Sequence, residues 1–341
     1  MQISKDFVQT LLNVDGLGPQ SVLKICELFK SPSISDNSSD KELLEYLNEL
    51  RGKKDKRLSR VHIPSLEGLV RARQDAIKQI RRNEDLGIHA VTIFDDDYPE
   101  NLRSTVNETG KTDAPILLYY KGDLTITKKP ALAVIGTREP TNDGVTAGRY
   151  YAAAFASIGV NIVSGLAIGC DTAGHRGALD VGGSTTAFLA HGLDSIYPPE
   201  NISLAEEIVE KGGLLMTEYH VGTMVNRYNL VDRDRLQAGL ANATLVVQTG
   251  TSGGTMHAVN ATVLSQKPLF VVDYRNPQGE KTEGNELLKR EKGAIGLRGI
   301  SSEDIKGHPD KYLELIGYST KETTIPQKQA QPVQSSFQFE E

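Results

Sequence analysis

Short apolar runs closed by turn residues recur through the middle of the chain. Ala131-Leu-Ala-Val-Ile135 ends at Gly136, and Val160-Asn-Ile-Val-Ser164 ends at Gly165. Runs of four to eight apolar residues bounded this way read as buried strands. The same reading predicts strands over Thr185–Ala190, Gly213–Met216, Thr244–Gln248 and Pro268–Val272. Upstream it adds Ala90–Phe94 and Ile116–Tyr120. Helical spacing fills the gaps, over Asp143–Ser157, Thr172–Val181, Ile202–Lys211, Tyr228–Ala241 and Thr255–Ser265, with shorter helices at Asn285–Gly293 and Asp310–Ile316. In the first of these, Val145, Tyr151, Ala154 and Phe155 form the expected inner face. Alternating strands and helices specify an α/β fold with a doubly wound parallel sheet.

The first 85 residues carry helical pattern only. Leu11, Leu12 and Val14 precede Gly16-Leu-Gly18, and Pro19 opens a second helix with Val22, Leu23, Ile25, Cys26 and Phe29 inward. Proline suits a first helical position, where its missing N–H costs nothing. The arrangement reads as a helix-hairpin-helix, whose glycine turn can present N–H groups to a phosphate, or as a plain packing hairpin. Ser31–Asp40 reads as a loop and Lys41–Leu50 as a helix. Leu66–Arg82 reads as an amphipathic helix with Leu66, Leu69, Val70, Ala76, Ile77 and Ile80 on its apolar side. The expected organisation is an N-terminal helical domain over 1–85, a sheet domain over 86–300, and a C-terminal segment over 301–341. From Tyr318 onward the segment is too poor in apolar residues to offset ordering entropy.

Composition narrows the classes little. The formal charge is −6, which does not favour nucleic acid in bulk. It is unevenly placed, however: Arg51–Arg82 holds 11 Lys and Arg against 3 Asp and Glu. No apolar run reaches the roughly 20 residues a bilayer requires, and the N-terminus lacks a signal pattern. Cys26 and Cys170 fall in different predicted domains, which excludes a disulfide framework and fits a reducing cytoplasm.

In a doubly wound sheet, ligands sit beyond the carboxyl ends of the strands, so the turns there are the candidate site. Gly136-Thr137-Arg138 follows the first strand, and Arg138 offers a guanidinium fork suited to phosphate. It is neither a dinucleotide fingerprint nor a Walker loop. Ser164-Gly165 opens the second turn, which runs through Asp171, His175 and Arg176. Asp171 is expected to cap the helix from Thr172, and His175 to pack or to share a proton with it. Arg233 and Arg235 flank Asp234 as either a phosphate clamp or an internal salt-bridge cluster. Ser252, Gly253 and Thr255 offer hydroxyls and N–H groups at a helix start. Tyr219, Tyr228 and His257 are candidates for base stacking.

Taken together, these motifs resemble the DNA-processing protein A (DprA/Smf) family. The match rests on Ile135-Gly-Thr-Arg138, the Ser164 to Leu179 turn and helix, Gly192-Leu-Asp with Tyr197-Pro198 and Asn201, Thr217-Glu218, Arg233 with Arg235, and Ser252-Gly253. Tyr98-Pro99 and Pro115 to Gly122 also fit. The resemblance implies an extended Rossmann-like fold with a small N-terminal helix-hairpin-helix (SAM-like) domain. It implies a non-catalytic protein that binds single-stranded DNA without a cofactor or metal, protects incoming DNA in natural transformation and hands it to the RecA recombinase. It further implies a homodimer away from membranes. The DNA contacts carried over are Gly136, Thr137, Arg138, Ser164, Gly165, Arg176, Arg233, Arg235, Ser252, Gly253 and Thr255. Three positions depart from the family pattern: Asp234 stands where Asn is usual, Glu200 where a basic residue is common, and Met256-His257 replace an aliphatic-Thr pair. No winged-helix domain is visible after Asp273.

Two other readings use the same turns. A nucleotide phosphoribohydrolase would carry a glutamate after its Gly-Gly-x-Gly-Thr turn, where this chain has Met256, His257 and Ala258. A nucleotide sensor, for example in phage defence, would need only the anion-binding turns.

Overall fold

The computed structural model describes residues 3–28, 39–52, 62–275 and 279–319. Phe29, most of the expected loop Ser31–Asp40, the basic residues Lys53–Arg60 and the tail from Thr320 lie outside the described residues. Four helices lead: α1 (Lys5–Leu12), α2 (Pro19–Leu28), α3 (Asp40–Gly52) and α4 (Leu66–Asp85). Ser65 caps α4 by accepting from the Gly68 N–H, as its short hydroxyl side chain predicts. Two strands follow, β1 (His89–Thr92) and β2 (Leu117–Gly122), and then the alternating part. This comprises β3 (Ala131–Ile135), α5 (Asn142–Ala156), β4 (Asn161–Ser164), α6 (Cys170–Asp180), β5 (Thr185–Phe188), α7 (Ile202–Glu210), β6 (Leu214–Thr217), α8 (Arg227–Leu240), β7 (Ala243–Val246), α9 (Thr255–Leu264) and β8 (Leu269–Val272). The chain closes with α10 (Glu283–Lys292), β9 (Ile295–Leu297), α11 (Ser302–Gly307) and α12 (Pro309–Leu315).

One nine-stranded sheet runs β1-β2-β6-β5-β4-β3-β7-β8-β9. Seven strands, β6 through β9 in that order, are parallel; β2 joins β6 antiparallel, and β1 joins β2 antiparallel. Every residue of β3 to β8 is buried. Burial on both faces is why these strands read as continuous apolar runs rather than alternating ones. From β3 the chain winds outward to β4, β5 and β6, then returns to β7 on the other side of β3. The β3–β7 boundary is therefore the topological switch point, where the turns diverge and leave a crevice.

The leading helices share a core with the sheet. Phe7, Val8, Leu11 and Leu69 pack in one cluster with Leu117, Tyr119, Leu189 and Leu215. Arg82 on α4 and Asp194 in the loop after β5 add an ion pair at 2.8 Å. The described C-terminal residues pack likewise: Ile305, Tyr312 and Ile316 join Phe155 and Tyr151.

Tyr151, Ala154 and Phe155 of α5 and Leu69 and Ala76 of α4 are buried as their patterns predict, but other expected inner positions are not. Val145 is exposed. The buried stripe of α5 runs through Gly144, Gly148, Tyr151, Ala152 and Phe155. A Cβ at Gly144 would lie 2.5 Å from the Gln248 side chain, and one at Gly148 3.3 Å from Val247. Glycines line the closest approach, so an apolar reading passes over them. On α4 the buried stripe is Leu69, Ala72, Ala76 and Asn83, while Leu66, Val70 and Ile77 face outward.

Candidate nucleic-acid interface

The carboxyl ends of β3 and β7 open a cleft of about 450 Å³. Its walls are Gly136 to Glu139 after β3, Ala167 and Asp171 below, Arg233, Asp234 and Gln237 on α8, and Thr249, Gly250 and Ser252 to Thr255 after β7. Three turns are bolted to one another by backbone hydrogen bonds. The Thr137 N–H donates to the Gln248 carbonyl at 2.8 Å, and the Cys170 N–H to the Thr137 carbonyl at 3.1 Å. Gly136 makes this possible: a Cβ there would lie 2.6 Å from the Cys170 sulfur and 2.7 Å from the Gln248 carbonyl oxygen.

Two amides hold the β7 turn. The Gln248 side-chain oxygen accepts from the Thr141 N–H at 2.8 Å, fixing the start of α5. Asn285, buried on α10, accepts from the Thr249 N–H at 3.0 Å. It donates to the carbonyls of Val247 at 2.9 Å and Val272 at 3.0 Å. Neither residue stands out in the sequence. Their partners lie 107 and 36 positions away, so no local pattern marks them.

Arg233 sits under the floor of the cleft and is only 4% exposed. Its guanidinium donates to the carbonyls of Gly165 and Phe188 and, at 3.0 Å, to Asp234. Asp171 lies in the first turn of α6, which starts at Cys170, rather than acting as its cap. Its carboxylate accepts from the N–H groups of Gly165 at 3.1 Å and Ala167 at 3.3 Å. Burial pushes the Asp171 carboxyl up to about 6, opposed by the Arg233 charge. Burial raises Asp234 as well, again opposed by Arg233. The buried arginine is thus balanced by two acids and adds little field to the cleft.

His175 is fully buried, with Nδ1 2.7 Å from the Thr185 hydroxyl. That hydroxyl donates to the Ile162 carbonyl, so it accepts from histidine, and Nδ1 carries the proton. Nε2 is left without a hydrogen-bond partner among the described residues. Burial, aided by Arg233 and Arg176, depresses the imidazole to about 3. It is a neutral packing group.

The other expected contacts separate. Arg138 is exposed, lines the cleft and makes no hydrogen bond or ion pair among the described residues. Gly136, Thr137, Ser252, Gly253 and Thr255 line the same cleft. The N–H groups of Ser252, Gly253, Gly254 and Thr255 find no acceptor among the described residues. Gly165 borders an adjoining slot with Arg138, Ile168, Tyr197, Pro198 and Leu230. Ser164 is buried, its hydroxyl donating to the Val134 carbonyl. Arg176 stands away from the cleft and pairs with Glu207 on α7. Arg235 points to a second hollow, held by both oxygens of Glu218 at 2.9 and 2.8 Å and by Asp113 at 2.9 Å. Of the stacking candidates, Tyr228 is 66% exposed beneath the Arg227 guanidinium, whereas His257 is paired with Glu108 and Tyr219 is half-buried.

A doubly wound sheet whose switch-point cleft joins one exposed arginine to a ring of unpaired N–H groups is the frame of a Rossmann-like anion binder. The chain belongs to the family described as DNA recombination-mediator protein A, whose sequence profile matches residues 89–303. It is 39% identical to protein Smf of Synechocystis over 170 residues, 49% of this chain and 41% of the relative. It is 33% identical to the DNA processing protein DprA of Streptococcus pneumoniae over 181 residues, 53% of this chain and 61% of the relative. The matches thus span about half the length of these relatives. Among solved structures, DNA processing protein A from Streptococcus pneumoniae superposes with a TM-score of 0.69 at 25% identity, over 90% of this chain and 98% of the other. The Helicobacter pylori protein, described for its single-stranded DNA binding mode, gives 0.55 at 28% identity, over 67% and 96%. No helix among the described residues is long and apolar enough to cross a membrane.

Proposed function

We propose that this chain binds single-stranded DNA at the β3–β7 cleft without regard to sequence, and performs no chemistry on it. The observation that carries the reading is the meeting of the exposed Arg138 with the unpaired N–H groups of Ser252 to Thr255. Together they offer a charge-assisted, backbone-made seat for phosphate, and family membership supplies the class of ligand. Gly136, Thr137, Ser252, Gly253 and Thr255 are the proposed contacts beside Arg138. Arg233, Ser164 and Gly165 shape the cleft from beneath. Arg176 and Arg235 are spent on Glu207, Glu218 and Asp113 and are left out of the proposed contact set. The two acid–base candidates, Asp171 and His175, are occupied by backbone and by Thr185, which supports a binding role over catalysis. The bound strand is proposed to pass to RecA, with the chain acting as a homodimer in DNA processing.

Fluorescence anisotropy with a labelled oligothymidylate tests the reading. Binding that prefers single strands over duplex, falls with salt and is weakened by Arg138→Ala is expected. Absence of binding at low salt overturns it.

A further inference from the structure

A second groove, of about 380 Å³, opens on the α5 side of the same sheet rim, at the carboxyl ends of β8 and β9. Its lining combines aromatic rings and arginines: Tyr150 and Tyr151 from α5, Tyr274 and Arg275 after β8, and Arg298 after β9. Nothing in the function proposed above uses it.

The rings are held in place. The Tyr150 hydroxyl donates to the Ile300 carbonyl at 3.1 Å and accepts from the Ser302 N–H at 2.7 Å. The Tyr151 ring meets it edge-on, with centroids 5.4 Å apart, and is anchored by its own hydroxyl to the Leu297 carbonyl. Although tethered twice, Tyr150 stays 39% exposed. A ring already immobilised loses little entropy when a flat partner stacks on it.

The charges differ in availability. Arg298 is drawn to Asp273 at 2.8 Å, which Lys289 also holds at 3.0 Å, so that carboxylate is offset twice. Arg275 is exposed and engages no partner among the described residues. Asp143 is the other acid on the lining.

The groove and the cleft have no lining residue in common, but elements of the two are tied together by hydrogen bonds. The Tyr274 hydroxyl donates to the Val247 carbonyl at 3.0 Å, at the end of β7. Lys281 donates to the Glu139 carbonyl at 3.0 Å, in the loop that carries Arg138. Lys281, exposed beside the loop of Arg138, is a further cation on this rim.

Resting on the DNA-binding reading above, we propose that this groove is a second nucleotide subsite on one strand path. Tyr150 stacks a base, and Arg275 and Arg298 receive the flanking phosphates. Stacking platforms beside backbone-tracking cations are the general means of holding single strands without sequence preference.

The test compares labelled oligothymidylates of about 5 and about 20 nucleotides on the full chain, with Arg275→Glu and Tyr150→Leu as variants. Thermal melts confirm that each variant folds. The expected result is about a tenfold loss for the long oligonucleotide in each variant, with the short one unchanged. Photocrosslinking of 5-iodouracil-substituted strands, mapped by mass spectrometry, is expected to mark Tyr150 in the wild-type chain. Unchanged long-strand affinity in both variants, with the short strand still bound, overturns the second subsite alone. Failure of either length to bind the wild-type chain overturns the cleft reading and this one with it.

Discussion

The guanidinium of Arg233 fills the space that a side chain would need at Gly165. A Cβ built on Gly165 would lie 2.2 Å from the Arg233 Nη1. The arginine is anchored on backbone carbonyls and on Asp234, so it has no room to yield. Gly165→Ala is expected to destabilise the fold by about 2–3 kcal/mol through overpacking, measured by urea unfolding. Arg233→Met should cost about 3–5 kcal/mol, because Asp171 and Asp234 would stay buried without their counter-charge. Equal stability of either variant and the wild type would show that the arginine does not hold the floor of the cleft.

Arg138 and Arg235 should behave oppositely. Arg138→Ala removes an exposed cation with no hydrogen bond or ion pair among the described residues, so stability should stay within about 0.5 kcal/mol of wild type. DNA affinity should drop, and the slope of log K against log salt should flatten by about 0.7 for each phosphate that is no longer neutralised. Arg235→Ala strands Glu218 and Asp113 half-buried and should lower the melting temperature. At a temperature where it remains folded, the short oligonucleotide should bind it as it binds the wild-type chain.

Two buried groups pull the pH dependence of stability in opposite directions. His175 titrates near 3 in the fold against 6.5 when unfolded, so its contribution is present above 6.5 and drains away as pH falls below that. Between pH 7 and 5 it should cost about 2 kcal/mol. Asp171 has a folded value of about 6 against 3.8. The fold therefore binds its proton first, and acidification through that window adds about 1 kcal/mol of stability. The wild-type difference between pH 7 and 5 should be small from this pair. Asp171→Asn should make the acid loss steeper and His175→Gln should reverse it. Parallel curves for all three proteins, from denaturant midpoints at the two pH values, would contradict the assignment.

Asn285 satisfies one N–H and two carbonyls around the β7 turn. Asn285→Ala removes the acceptor of the Thr249 N–H and the donor to the Val272 carbonyl, while the Val247 carbonyl keeps its bond from the Tyr274 hydroxyl, at a cost of about 2–3 kcal/mol. Asn285→Asp keeps the acceptor for Thr249 but turns a carboxylate oxygen toward two carbonyls, and should cost at least as much. Hydrogen exchange should quicken at Thr249 in the alanine variant, and unchanged protection there would exclude Asn285 as the anchor of this turn.

How legible each feature is in the sequence depends on how local it is. The strands β3 to β8 are legible because burial on both faces makes them uniformly apolar, and the glycine turns mark their ends. β9 is not legible: Ile295-Gly-Leu297 is three residues long with two of them exposed, and it is a strand only because β8 offers it an edge. The turn residues Gly136, Arg138, Ser252 and Gly253 come to line one cleft because a parallel sheet places all its carboxyl ends along one rim. Arg176, Arg233 and Arg235 look alike in sequence, and the fold gives each a different partner.

The α/β class, the order of the elements and the turns at which a ligand could sit can be read from the amino-acid order, because periodicity and glycine placement are properties of short segments. Which arginine remains available depends on how the elements pack. The placing of Arg233 near Asp171, and the pairing of Arg235 with Glu218 and Asp113 and of Arg176 with Glu207, join elements distant in the chain. Whether a charge faces water or a carboxylate is set by what packs against it, and that neighbour is chosen by the winding of the sheet.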